Sequence, residues 1–154
     1  MKKPLLISAC LIGAPCRFDG KSKPRVNISE LAERYNLIPI CPEIYGGLPT
    51  PRVPSERCGE RVVMADGTDV TENFKRGALV SVDFARALGA GAALLKERSP
   101  SCGHGKIYDG SFTHTLRDGD GVTAEALALR VEELEKQIAM LKMGVPMTAA
   151  ASEP

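Results

Sequence analysis

Three short apolar segments, each followed by a cysteine, constrain the fold of this chain more than any other feature. The segments, with the cysteine that follows each, are residues 4–8 with Cys10, residues 37–40 with Cys41, and residues 92–95 with Cys102. Runs this short and this continuously apolar are typical of parallel strands that are buried on both faces. Because the carboxyl ends of parallel strands open on one crevice, we expect the three cysteines to meet there.

Helix signals separate the three predicted strands. Two residue pairs have the spacing of a capping box, namely Asn27 with Glu30 and Asp69 with Glu72. The first pair predicts a helix through about Tyr35, and the second predicts a longer helix that Gly89 ends. The alternation of strand and helix predicts an α/β fold with right-handed crossovers and a doubly wound parallel sheet.

The remaining segments are assigned from their composition. Residues 41–59 contain four prolines and are predicted to form a long functional loop without regular structure. Residues 61–64 are predicted to begin a small hairpin that turns at Asp66–Gly67. A further helix is predicted from Thr123 to about Met143, and residues 146–154 are predicted to form a disordered tail.

Length, charge and cysteine content narrow the class of protein. With 154 residues and 44% hydrophobic content, a single domain over residues 1–145 is expected. A net charge of +1 gives no reason to expect long nucleic acid or a membrane surface as a partner. Five widely separated cysteines, an odd number, do not resemble a secreted disulfide framework and favour a reducing cytoplasm. No apolar run approaches the roughly 20 residues of a membrane span, and Pro15 before Cys16 argues against a lipoprotein signal.

The spacing of the cysteines bears on the kind of centre they form. No two of Cys10, Cys41 and Cys102 have the C-x2-4-C spacing of a local zinc site. One ligand from each strand end suits a larger centre, and thiolates hold iron–sulfur clusters. Three thiolates on four irons leave one iron open to act as a Lewis acid. A nucleophilic thiol, and three cysteines that are merely buried small side chains, remain alternatives.

Polar residues beside the cysteines are candidates for proton transfer and substrate binding. Glu43, two residues after Cys41, is a candidate catalytic acid or base, although pairing with Arg52 is an alternative. Ser101, directly before Cys102, is the second catalytic candidate. The residues predicted to contact the substrate are Ser8, Asp19 and Ser99, while a turn-forming role also suits Ser99. The residues predicted to ligate nothing are Cys16, Cys58, His104 and His114.

Several sequence blocks, in order, resemble the thiouracil desulfidase family. They are Leu-Ile-Ser-Ala-Cys-Leu-Ile-Gly with Arg-Phe-Asp-Gly, then Cys-Pro-Glu-Ile-Tyr-Gly-Gly-Leu-Pro-Thr-Pro-Arg, then Leu-Lys-Glu-Arg-Ser-Pro-Ser-Cys-Gly, and then Ile-Tyr-Asp-Gly-Ser-Phe. The resemblance covers roughly Leu5 to Val122. It implies a Rossmann-like, three-layer α/β domain that holds a [4Fe-4S] cluster through Cys10, Cys41 and Cys102.

The implied reaction removes sulfur from a thiolated pyrimidine base, such as 2-thiouracil, and gives uracil and hydrosulfide without net redox change. Glu43 is then expected to assist the attack of water, which Ser101 orients. The partner is a small thiolated base, and both a monomer and a homodimer remain open. Two alternatives also remain, a cluster protein that transfers or stores sulfide for tRNA thiolation and a zinc or thiol binding module. A classical dinucleotide enzyme is disfavoured because no Gly-x-Gly-x-x-Gly follows the first strand.

Overall fold

A three-stranded parallel sheet lies at the centre of a mixed α/β domain. The computed structural model describes residues 1–24 and 27–143. The elements in chain order are β1 (Lys3–Ser8), a 3-10 turn (Ala9–Ile12), α1 (Ile28–Arg34), β2 (Tyr35–Ile40), α2 (Pro42–Tyr45), β3 (Ser55–Cys58), β4 (Arg61–Met64), α3 (Thr71–Leu88), β5 (Ala93–Leu94), β6 (Lys106–Tyr108), β7 (Leu116–Asp118) and α4 (Val122–Lys142).

The sheet has the strand order β2-β1-β5, and both pairings of β1 are parallel. Ser8 lies opposite Ile40, and Ile7 lies opposite Leu94, so the three strands end at the same edge. The three strands predicted from the apolar runs are therefore confirmed, with ends that differ by one or two residues.

The helices begin and end close to the predicted positions. Asn27 caps α1, and its side chain accepts a hydrogen bond of 3.3 Å from the Glu30 amide. Helix α3 begins at Thr71, after Val70, so the prediction of a capping box that starts at Asp69 was wrong. The Asp69 side chain instead accepts from the Thr71 amide at 2.9 Å, which stabilises the turn that leads into the helix. The predicted C-terminal helix is confirmed as α4.

The prediction that residues 41–59 lack regular structure was wrong. Helix α2 starts at Pro42, where a proline is favourable because the first turn of a helix needs no amide donor. Strand β3 pairs antiparallel with β4, and Gly59 turns the chain between them with a φ of 62°. The predicted turn at Asp66–Gly67 is present, since the Met64 amide donates to the Thr68 carbonyl, but the main hairpin partner of β4 is β3.

Consecutive side chains of a strand point to opposite faces of the sheet, and both faces of this sheet are covered. Leu6 of β1 packs with Ile40 and with Ala85 of α3 on one face. Ile7 packs on the other face with Leu11 of the 3-10 turn and with Leu31 of α1. A third cluster lies under the β3–β4 hairpin; its buried members are Leu48, Val62, Val70 and Phe74.

Two glycines allow α2 to lie directly on α3. A Cβ at Gly77 of α3 would lie 1.8 Å from the carbonyl oxygen of Pro42. A Cβ at Gly46 would lie 2.0 Å from the carbonyl oxygen of Asn73. Both distances are too short for any side chain, so this contact requires glycine at both positions. It fixes the position of Cys41, the residue directly before α2.

The predicted disordered tail, residues 146–154, lies outside the described residues. Within the described part of the chain, none of the helices combines the length and the apolar character needed to cross a membrane.

Candidate metal centre

Four of the five cysteines line one cavity at the carboxyl edge of the parallel sheet. The cavity has a volume of about 710 Å³. The cysteines that line it are Cys10, Cys16, Cys41 and Cys102. All five cysteines of the chain are free thiols, and Cys58 is exposed outside the cavity. The predicted convergence of three cysteines at the strand ends is thus confirmed, and a fourth joins them.

The 3-10 turn after β1 places Cys10 at the cavity. Gly13 ends this turn with a φ of 105°, a left-handed conformation that favours glycine. The carbonyl of Cys10 accepts from the Lys23 amide at 2.9 Å, which holds the following loop against the turn. A hydrogen bond from the Cys16 thiol lowers the pKa of the Cys10 thiol, although burial acts in the opposite direction.

Cys41 and Cys102 reach the cavity from β2 and from the loop after β5. The neighbouring Cys16 thiol, together with burial, raises the pKa of the Cys41 thiol well above its usual value. Cys102 is buried, and burial raises the pKa of its thiol to about 12. The Ser99 hydroxyl accepts from the amides of Ser101 and Cys102, both at 3.1 Å, and shapes the turn that carries Cys102.

Cys16 lies between two of the predicted ligands. The neighbouring Cys10 thiol raises the pKa of Cys16, and the Cys41 thiol acts in the opposite direction. The Cys41 sulfur also lies 3.8 Å from the Cys16 carbonyl oxygen. Cys16 was predicted to be non-ligating because it lies in a polar loop and does not follow an apolar strand. Its non-ligating role stays a prediction.

The thiols fit a multi-iron centre better than a single metal ion. Within residues 1–24 and 27–143, no three His, Cys, Asp or Glu side chains are arranged to hold one ion. Thiols from three separate strand ends, around a cavity of this size, suit a larger centre with soft ligands.

Glu43 also lines the cavity, and Arg52 holds its carboxylate. Arg52 Nε donates to Glu43 Oε1 at 3.1 Å, and the Arg52 side chain is only 2% exposed. Arg52 Nη2 donates to the Cys16 carbonyl at 2.9 Å, which ties the acid to the loop that carries the fourth thiol. Burial raises the pKa of Glu43, while Arg52 opposes that shift. The ion pair that the sequence left as an alternative is therefore present.

The other predicted site residues differ in their relation to the cavity. Ser8 and Ser99 line it, and the Ser8 hydroxyl accepts from the Lys96 amide at 2.8 Å. Ser101 is fully buried, and its hydroxyl is bonded to Thr123 at 3.1 Å. Against the larger effect of burial, the hydroxyls of Ser8 and Ser101 lower the pKa of the Cys102 thiol. The described residues that line the cavity include neither Ser101 nor Asp19. Asp19 pairs with Arg17, which does line the cavity, at 3.2 Å.

A wall that sequence reasoning did not assign lies across the cavity. The residues that form it are Glu56, Tyr108, Phe112 and His114. His114 packs edge-on against Tyr108, with ring centroids 6.1 Å apart. The sequence block that contains Tyr108 and Phe112 was recognised as a family signature, but no role was derived for it. His104 pairs with Asp120 at 3.0 Å and does not line this cavity.

Comparison with known proteins decides the family. Residues 5–137 match the family described as 2-thiouracil desulfurase, which covers most of the chain. The chain belongs to the 2-thiouracil desulfurase family.

Two further proteins resemble this desulfurase family member. One is a protein of Bacillus subtilis (strain 168) named uncharacterized protein YbbK, which is 39% identical over 133 residues, 80% of this chain and 88% of that protein. The other is a solved structure described as [4Fe-4S]-dependent thiouracil desulfidase TudS. It superposes with a TM-score of 0.79 and 41% identity, and covers 92% of this chain and 99% of its own.

Proposed function

We propose that this member of the 2-thiouracil desulfurase family is an enzyme that removes sulfur from a thiolated pyrimidine base, 2-thiouracil or a close relative, with a [4Fe-4S] cluster. Water and the thione give the oxo base, uracil, and hydrosulfide with one proton, so no electrons are exchanged. The observation that carries this proposal is that thiols from three strand ends share one cavity of about 710 Å³. The family match and the similarity to a [4Fe-4S]-dependent thiouracil desulfidase support it.

Cys10, Cys41 and Cys102 are proposed to hold the cluster. Cys10 and Cys41 follow the ends of β1 and β2 closely, and the turn held by the Ser99 hydroxyl positions Cys102 in the loop after β5. With three protein ligands, the cluster supplies one open iron, a Lewis acid that polarises the carbon–sulfur bond. Cys16 is proposed to remain a thiol beside the centre.

Glu43 is proposed to accept a proton from the attacking water while the new carbon–oxygen bond forms. Arg52 bonds to Glu43 Oε1, so this carboxylate is held in one orientation inside the cavity. The arginine is itself fixed by the carbonyls of Cys16 and Pro49. The same carboxyl then gives this proton to the sulfur as the carbon–sulfur bond breaks, and the second proton of the water leaves the new oxygen as the carbonyl forms.

Two serines are proposed to contact the substrate directly, and Asp19 is proposed to act on it through a neighbouring side chain. Ser8 and Ser99 line the cavity, and each hydroxyl oxygen already accepts from a backbone amide, so each O–H is oriented to donate elsewhere. Asp19 is proposed to act through Arg17, which it holds at the cavity. Ser101 is proposed to orient the water or to fix Cys102, the residue that directly follows it.

Lys96, which also lines the cavity, is suited to the anionic product. The hydrogen bond from its backbone amide to the Ser8 hydroxyl connects the segment after β5 to the end of β1. Burial lowers the pKa of Lys96, and the nearby Cys10 opposes that shift. Together with Arg17, its positive charge favours the release of sulfur as hydrosulfide.

We also propose a Rossmann-like, three-layer description of the fold, with a cluster-binding domain over residues 1–145. Helices pack on both faces of the sheet, which supports the three layers. A cytoplasmic location is proposed because five free thiols favour a reducing compartment. The substrate is a small base, and the protein acts as a monomer or a homodimer.

The experiment that tests the function is anaerobic purification with iron and acid-labile sulfide quantified, followed by an assay of sulfide and uracil released from 2-thiouracil. We expect about four irons per chain and equal amounts of the two products. Cys102→Ala should lose iron and activity, while Cys58→Ala, at the exposed cysteine, should retain both. Four irons without any release would overturn the reaction and favour sulfide transfer or storage, and an iron-free active protein would overturn the cofactor.

A further inference from the structure

The loop 109–115 presents a rigid aromatic wall to the cavity that contains the thiols. Phe112 and His114 both line this cavity, and both have a φ of 58°. Residues with a side chain rarely adopt this left-handed conformation, and such conformations cluster where a side chain must be aimed at a ligand. Two of them in one short loop indicate that its shape serves the cavity.

Glu56 of β3 holds this loop in place. Its Oε1 atom accepts from the amide of Gly110 at 3.0 Å and from the amide of Phe112 at 3.1 Å. Glu56 is buried, and a carboxylate that accepts two backbone hydrogen bonds in a buried setting makes a strong anchor. A Cβ at Gly110 would lie 3.1 Å from the Cys58 Cβ, so the loop also packs closely on β3.

Hydrogen bonds within loop 109–115 also stabilise its conformation. The Asp109 carboxylate accepts from the Ser111 amide at 2.9 Å. Hydroxyl contacts then join Ser111 to Thr113 at 2.6 Å and Thr113 to Thr115 at 2.8 Å. These bonds fix the loop before any ligand binds, which lowers the entropy cost of binding.

The Phe112 ring is available for a ligand. His114 is engaged edge-on by Tyr108, whereas the aromatic ring pairs found among the described residues do not include Phe112. A flat heterocycle stacks on such a ring whatever polar groups it carries at its edge, because every base has a π-face. An acyclic thioamide or thiourea offers the same carbon–sulfur bond without that face.

We propose that Phe112 is a specificity-determining residue that stacks on the pyrimidine ring, and that Glu56 is a positioning residue that holds loop 109–115 for this contact. This inference rests on the proposed function, because it names the class of substrate that the same cavity takes. The site selects planar cyclic thiones over acyclic ones.

The first test compares Phe112→Leu and Phe112→Tyr in the iron-loaded protein. Phe112→Leu keeps an apolar side chain but loses the ring, and we expect the KM for 2-thiouracil and the Kd for uracil to rise about tenfold. Phe112→Tyr keeps the ring and should stay within about twofold of wild type. Both variants should retain the iron content. If Phe112→Leu does not load iron, Phe112→Met replaces it as a more flexible apolar substitute.

The second test concerns Glu56. Glu56→Gln keeps one oxygen acceptor for the two amides and should bind uracil nearly as wild type does. In Glu56→Leu, the Kd for uracil should rise about tenfold. The double variant with Glu56→Leu and Phe112→Leu should bind no worse than either single variant, because both changes remove one stacking contact. Additive losses would show that Glu56 acts independently of Phe112 and would overturn its positioning role.

Uracil binding, measured by calorimetry, distinguishes a failure of the proposed Phe112 contact from a failure of the proposed reaction. If wild type binds uracil and Phe112→Leu does not, but neither releases sulfide, the reaction is wrong while the aromatic wall stands. If Phe112→Leu binds uracil and turns over 2-thiouracil as wild type does, the wall is wrong while the reaction stands. Equal kcat/KM values of wild type for thiourea and 2-thiouracil would also overturn the selection of planar rings.

Discussion

Arg52 holds Glu43 through a hydrogen bond of 3.1 Å between Nε and Oε1, and the same guanidinium binds the carbonyl of Cys16. One buried side chain therefore connects the proposed acid–base group to the loop that carries the fourth thiol. Because the Arg52 side chain is only 2% exposed, its charge is stabilised by protein partners and hardly by water.

Glu43→Gln should lower kcat by about 100-fold or more, because it removes the group that transfers the proton. The amide still accepts from Arg52, so the iron content should not change. Turnover of 2-thiouracil and iron content are measured on the same sample. Glu97→Gln is the matched control, since Glu97 is another carboxylate that lines the cavity. An unchanged kcat in Glu43→Gln would leave Glu43 with only a structural pairing role.

Single alanine variants should distinguish the cysteines that bind the cluster from the cysteine that only lies beside it. Cys10→Ala, Cys41→Ala and Cys102→Ala should each lose most of the bound iron, because a three-thiolate centre has no spare protein ligand. Cys16→Ala should retain about four irons, although its thiol bonds to Cys10 and Cys41. Iron analysis and visible absorption are the measurements. Loss of iron in Cys16→Ala, combined with retention in Cys41→Ala, would reassign the ligand set.

The strands and their cysteines were predictable because the signals are local in the sequence. An apolar run and the cysteine that ends it are neighbours, as in the segment that leads to Cys41. The anchor of the aromatic wall has no such local signal, since Glu56 binds amides that lie 54 and 56 residues further along the chain. The position of Cys16 has no local signal either, because its loop is held by a contact with Arg52, 36 residues away. Strand β3 was missed because three prolines just before it suggested an irregular loop throughout.

Ser101→Ala tests a direct role for that hydroxyl. The change removes the bond to Thr123 and leaves a buried hydroxyl without that partner, which should cost about 1–3 kcal/mol in the free energy of unfolding. Thr123→Val breaks the same bond from the other side, further from Cys102. If Ser101 orients the water or Cys102, Ser101→Ala should lower kcat about tenfold more than Thr123→Val does. Equal kcat values in the two variants would assign Ser101 to folding alone.

Asp69→Ala should destabilise the protein at neutral pH and lose this effect in acid. Hydrogen bonds from Thr71, followed by the bond from Arg61, lower the pKa of Asp69 to about 2. A lowered folded-state pKa gives stability that is present above the unfolded value, near 3.9, and is lost as the pH falls through about 2. The difference in Tm between wild type and Asp69→Ala, followed by far-UV circular dichroism, should therefore shrink between pH 5 and pH 2. A difference that stays constant over this range would show that the ionised carboxylate does not contribute.

Gly77→Ala should weaken the centre from outside the cavity. The new Cβ would lie 1.8 Å from the Pro42 carbonyl oxygen, so α2 and α3 must separate. Cys41 directly precedes α2, so it moves when α2 is displaced. We expect the unfolding free energy to fall by about 2 kcal/mol or more and the iron content to fall as well. Gly91→Ala makes the same change where nothing lies within 4 Å and should leave both quantities near wild type. Denaturant unfolding and iron analysis of the two variants test this, and a Gly77→Ala protein that is destabilised yet fully loaded with iron would show that the α2–α3 contact does not position Cys41.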